Sequence, residues 1–148
     1  MAPASQTTPI TLRLSRILPG PREKVFRAWT TPAELKRWFA PGDMTTPVAE
    51  VDLKVGGRYR IQMQAPDGSV HQATGVYQVV DPPQRLVYTW VWDAGPDQHE
   101  TLVTVEFLAR GPDRTEVVLT HERFTNTEAR DRHDKGWTGC LEKFVALF

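Results

Sequence analysis

The chain has 148 residues, 40% of them apolar and 24% charged, which suits one globular domain burying about two thirds of the surface its unfolded chain exposes. Eighteen Lys and Arg balance eighteen Asp and Glu, so no net field draws the chain to nucleic acid or to an anionic membrane. The longest apolar run, residues 144–148, falls far short of the roughly 20 residues needed to cross a bilayer. The N-terminus lacks an apolar signal core and a lone cysteine, Cys140, forms no internal disulfide. No membrane insertion and a cytoplasmic address are expected.

Residues 1–9, with Pro3 and Pro9 among small neighbours, read as a flexible leader, and residues 10–148 as a single domain. Ile10, Leu12 and Leu14 alternate with Thr11, Arg13 and Ser15, the period of a strand with one wet face. Two short helices follow. Pro21 sits where a first helical residue tolerates proline, and Val25, Phe26 and Trp29 recur at helical spacing. Thr31-Pro32-Ala33-Glu34 reads as a capping box in which Glu34 reaches back to Thr31. Leu35, Trp38 and Phe39 form that helix's apolar side, and Pro41-Gly42 ends it.

From Val48 onward the period changes to two, and turn residues recur at intervals suited to an antiparallel meander. Gly56-Gly57 opens a strand with Tyr59, Ile61 and Met63 on one face. Pro66-Asp67-Gly68 is a hairpin turn, since proline presets φ, aspartate bonds locally and glycine accepts a positive φ. A strand over 70–80 stops at Asp81-Pro82-Pro83, and the next, over 85–92, places Leu86, Tyr88, Trp90 and Trp92 together. After Gly95-Pro96-Asp97, strands over 100–110 and 115–122 complete a set of about seven.

The last segment is a long helix. With Trp137 as zero and about 100° per residue, Cys140, Leu141, Phe144 and Phe148 fall within about 60° and His133 at about −40°. Arg130 projects near 20°, so the helix is expected to overhang the sheet at its start or to bend near Asp131. Gly136, on the flank, reads as relief of crowding. Gly139 projects opposite the stripe, where packing supplies no reason for it. Together these elements define an α+β chain: a curved antiparallel sheet of six or seven strands wrapped around a long C-terminal helix, with two short helices after strand 1. A helix laid in such a concavity leaves space at one end.

The run from Val25 to Phe39, with Gly56-Gly57-Arg58-Tyr59, Arg85-Leu86-Val87-Tyr88-Thr89-Trp90 and His133 to Trp137, resembles the SRPBCC (START-like) superfamily. Within it the chain is similar to single-domain homologues of the heat-shock-protein-90 ATPase activator. The resemblance spans residues 10–148 and implies a helix-grip fold with a hydrophobic cavity between sheet and terminal helix. It implies no single reaction, because one fold hosts many functions.

Five tryptophans are many for this length. Trp38, Trp90 and Trp137 lie on inward faces, where they either fill the core or line a cavity for an apolar ligand. Phe39, Tyr59, Ile61, Met63, Tyr88, Cys140 and Leu141 share those faces and complete the candidate ligand-binding set. His133 lies one turn before Trp137, and His121 is in phase with Val117 and Leu119. A neutral imidazole at either place orients a ligand carbonyl, serves as a general base near pH 7, or is a satisfied structural group. No catalytic residue is committed, and His71 and His99, beside turns, are expected to be exposed. HExxH, paired CxxC, GxSxG, GxGxxG and phosphate-loop patterns do not occur, so no metal site, nucleophile elbow or cofactor is expected. The leading expectation is binding of a small hydrophobic or aromatic molecule without committed catalysis. The alternatives are a cyclase or dehydratase using these histidines with Tyr59 or Tyr88, and a co-chaperone or protein-interaction module, with a homodimer as a further partner expectation.

Overall fold

The computed structural model describes residues 10–148; the expected leader at residues 1–9 lies outside the described residues. The elements are β1 (Leu12–Leu18), α1 (Arg22–Thr30), α2 (Pro32–Trp38), β2 (Thr45–Val51), β3 (Arg58–Gln64), β4 (Val70–Asp81), β5 (Arg85–Trp92), β6 (Thr101–Gly111), β7 (Arg114–Glu122) and α3 (Thr127–Ala146). All seven strands form one antiparallel sheet in the order β1-β7-β6-β5-β4-β3-β2. Strands β2 to β7 are a plain meander. Only β1 breaks sequence order, pairing with β7 while α1 and α2 carry the chain across to the far edge.

The sheet curls because its ladders are irregular. Register shifts fall between Thr45 and Val48, between Tyr77 and Val79, and between Ala109 and Gly111, and each such irregularity adds local bend and twist. Gly75 on β4 does related work: a side chain there would collide with the Tyr59 ring and the Thr89 carbonyl. Its bare Cα lets Tyr59 lie across β4 and donate its hydroxyl to Thr89 on β5. Three neighbouring strands are thereby tied from the concave side.

The helix starts differ from expectation in their chemistry. Pro21 is the N-cap of α1, and neither it nor Thr31, the N-cap of α2, makes a side-chain cap. The capping box does not form; Glu34 instead lies 3.5 Å from Arg37, three residues on along the same exposed face. Tertiary contacts hold α2 instead: Leu35 and Trp38 are buried, and the Trp38 indole donates to the Ala28 carbonyl at 2.9 Å. Helix α3 is capped by Asn126, whose side chain accepts from the Ala129 amide.

Helix α3 buries Ala129, His133, Trp137, Cys140, Leu141 and Phe144, the stripe its periodicity predicts. The inward residue of its first turn is Ala129. Arg130 instead turns to Asp131 at 3.2 Å, so no guanidinium enters the core and α3 runs as one element from Thr127. Gly139 has a packing reason after all: a Cβ there would come within 2.7 Å of Pro41 Cβ and 3.1 Å of Pro41 Cα. Its bare backbone is the seat on which the α2–β2 connection docks. Toward the C-terminal end of α3 the core is dense, with Trp29 and Trp38 at 4.6 Å between ring centroids, Trp38 and Phe144 at 4.5 Å, and Phe26 and Phe107 at 5.2 Å.

Candidate functional site

The N-terminal half of α3 borders a cavity of about 350 Å³, within the range of small-molecule sites. Helix α3 contributes Arg132, His133, Gly136, Trp137 and Cys140; β5 contributes Trp90 and Trp92; Met63 and His71 come from β3 and β4. The α2–β2 connection adds Phe39, Pro41 and Met44, and the β5–β6 connection adds residues 94–97. Gly136 therefore does the opposite of what its flank position suggests. A Cβ there would meet nothing within 4 Å, so it relieves no crowding and leaves the space open.

Six residues of the expected ligand-binding set line this cavity: Phe39, Met63, Trp90, His133, Trp137 and Cys140. Trp38, Tyr59, Ile61, Tyr88, His121 and Leu141 do not. Tyr59, Ile61 and Tyr88 border a second space of only about 10 Å³ with Trp29, Leu35, Phe39 and Tyr77, room for about one water. The reason is depth along the strand. Tyr59 and Met63 share one face of β3, but Tyr59 lies against the tyrosines of β4 and β5 while Met63 reaches the hollow end. Burial pushes both the Tyr59 and Tyr88 phenols well above their usual range.

The two candidate histidines are both buried and both fully engaged. Thr101 Oγ1 donates to the Trp90 carbonyl at 3.0 Å, so at 2.6 Å from His121 it receives the Nε2–H. His121 Nδ1 then accepts from Trp137 Nε1 at 3.0 Å. His133 carries the opposite tautomer: its Nδ1–H donates to the Ala129 carbonyl at 2.7 Å, and its Nε2 accepts from Trp92 Nε1 at 3.0 Å. The rings lie 5.0 Å apart, with Phe124 against both. Burial, reinforced by the neighbouring histidines, holds His121 well below the usual imidazole range. Burial also lowers His133, against the opposing pull of the Ala129 carbonyl and of Asp97. Each imidazole is neutral, and each spends its lone pair on a tryptophan of the cavity wall.

At the mouth, Arg132 grips Asp97 with two bonds of 2.6 and 2.9 Å, strapping the β5–β6 connection to α3. The hydrogen bonds from Arg132 hold the Asp97 carboxyl below its usual range. Cys140 faces the cavity as a thiol, pushed up to about 12 by burial, and so is unreactive near neutrality. His71 is exposed, as expected, and contributes to the wall. His99 is half-buried instead, with its Nε2 enclosed. Among the described residues, no group of His, Cys, Asp and Glu is arranged to hold a metal ion, and no helix is long and apolar enough to cross a membrane.

Of the wall residues outside the expected set, Trp92 carried a readable signal, being in phase with Trp90 on the inward face of β5. Met44 and residues 94–97 lie in connections without periodicity, and the Asp97–Arg132 pair joins segments far apart in the chain.

A curled seven-stranded antiparallel sheet closed on a long C-terminal helix, with two short helices after the first strand, is a helix-grip fold. The sequence model of the family described as "Activator of Hsp90 ATPase homolog 1-like protein" matches residues 19–148, and the chain belongs to that family. Among solved structures, a protein from Chromobacterium violaceum is 28% identical, with a TM-score of 0.82 over 93% of this chain and 96% of that one. The AHSA1 protein from Silicibacter pomeroyi is 27% identical, with a TM-score of 0.82 over 92% of this chain and 95% of its own. No protein with a curated description matches the sequence.

Proposed function

We propose that this protein binds a small hydrophobic or aromatic molecule between its sheet and α3. The observation that carries this reading is the cavity of about 350 Å³ walled by Phe39, Met44, Met63, Trp90, Trp92 and Trp137. Rings and thioethers make a wall suited to a flat apolar guest. The histidines support binding over acid–base turnover, because both lone pairs already accept from tryptophan N–H groups and the two tyrosine candidates lie outside the lining. A single buried free cysteine suits a reducing, cytoplasmic setting.

The test is tryptophan fluorescence titrated with a panel of apolar aromatics, alongside native mass spectrometry of the purified protein. Saturable quenching at one molecule per chain is expected, and Gly136→Leu, which fills open space, abolishes it. A panel that leaves the emission unchanged throughout overturns the proposal.

A further inference from the structure

The cavity and the small second space lie end to end along the trough. On the inward face of β3, Tyr59 and Ile61 border the second space and Met63 borders the cavity; on β5 the same boundary falls between Tyr88 and Trp90. Among the described residues, only Phe39 borders both. Its ring centroid lies 5.0 Å from that of Trp38, in the dense end, and 5.9 and 5.4 Å from those of Trp90 and Trp137, in the cavity wall. About 350 Å³ lies on one side of this residue and about 10 Å³ on the other.

This partition is a side chain hung from a fixed main chain. Phe39 is the C-cap of α2; its N–H donates to the Leu35 carbonyl at 2.9 Å, and its carbonyl accepts the buried Thr46 hydroxyl at 3.1 Å. Two residues on, Pro41 rests against the bare backbone of Gly139. None of these contacts uses the phenyl ring, so shortening the side chain leaves them in place. The ring itself is held by packing alone, and truncating a buried ring leaves a cavity where it stood.

Resting on the ligand-binding reading, we infer that Phe39 is a specificity-determining residue: its ring closes the inner end of the cavity and sets the length of ligand that fits between that ring and the mouth at Asp97 and Arg132. An apolar tail gains affinity as it grows toward Phe39 and gains nothing once it reaches the ring.

The 4-n-alkylphenols test this, because the hydroxyl keeps its water at the mouth while the tail grows inward by one methylene at a time. In wild-type protein affinity is expected to rise up to about fourfold per buried methylene and then level off at a definite tail length. In Phe39→Ala the levelling moves to tails about three methylenes longer, into the space the ring vacates, and in Phe39→Leu it moves less. A measurement on wild-type protein stands whether or not either variant folds: with phenylalanine rings ¹³C-labelled, the terminal methyl of the longest tail that still gains affinity gives a nuclear Overhauser effect to the Phe39 ring. A missing contact, a levelling at the same length in all three proteins, or alkylphenols that fail to bind where the aromatic panel binds overturns the length limit and leaves the ligand-binding reading standing. If neither the alkylphenols nor the aromatic panel bind, that reading fails and takes the length limit with it.

Discussion

The two ends of the trough between the sheet and α3 are made from the same kinds of side chain and reach opposite outcomes. Toward the C-terminal end of α3, Trp29, Trp38 and Phe144 interlock with centroids about 5 Å apart, and only about 10 Å³ is left nearby. Toward the N-terminal end, Trp90, Trp92 and Trp137 stand around about 350 Å³. The difference lies in what faces the rings. Helices α1 and α2 press tryptophans and Phe26 into the first end. At the second, a connection built of Ala94, Gly95 and Pro96 and the bare backbone of Gly136 supply almost no volume. Two of the three indoles there are also tethered to His121 and His133, which fixes their orientation as a wall. An aromatic-rich interior is thus not by itself a filled one.

The comparison is broken most forcefully by truncation. Trp38→Ala, at the dense end, is expected to cost about 3–5 kcal/mol, against about 1 kcal/mol for Met44→Ala beside the hollow. Urea denaturation measures both, and equal losses would mean the ends are packed alike.

Acid acts next, and on the hollow end. The unfolded chain's histidines take up protons below about pH 6.5, whereas burial holds the folded pKa values of His121 and His133 lower. Stability is therefore full above about pH 6.5 and falls as the pH drops toward the folded values. Asp97, lowered by its bonds to Arg132, adds a loss of the same sign at more acidic pH. Urea midpoints between pH 8 and pH 5 read this directly; a flat profile would detach the histidines from the wall.

The two helical glycines sharpen the contrast with smaller effects of opposite sign. Gly139→Ala drives a methyl into Pro41 and is expected to destabilise by about 1–3 kcal/mol. Gly136→Ala points a methyl into open space and gains up to about 1 kcal/mol of helix propensity. Thermal unfolding of the pair ranks them, and a loss at Gly136 would show that no room exists there.

These glycines also mark where the amino-acid sequence stops being legible. Strand faces and the α3 stripe are periodic, so the fold and the inward position of Trp90, His121, His133 and Trp137 follow from spacing alone. The role of Gly139 depends on Pro41, brought to it only by the closed fold, and the openness at Gly136 depends on what a distant loop fails to supply. The expected capping box is absent: Glu34 lies beside Arg37 on the exposed face, and α2 is held by the burial of Leu35 and Trp38, which a local motif does not register. His121 illustrates a partial success: its phase predicts burial, but its partners Thr101 and Trp137 come from β6 and α3, and they turn a candidate base into an anchor. Depth along the trough, which separates Met63 from Tyr59 on one strand face, has no signature in a period of two.

The most direct measurement uses methionine. Of three in the chain, Met44 and Met63 line the cavity, so ¹³C-methyl labelling places two reporters on its wall. On titration with naphthalene, both methyl signals are expected to shift together and saturate at one molecule per chain, and to stay still in Gly136→Leu. Signals that remain fixed in wild-type protein, or that drift without saturation in both proteins, would contradict a ligand-sized hollow beside α3.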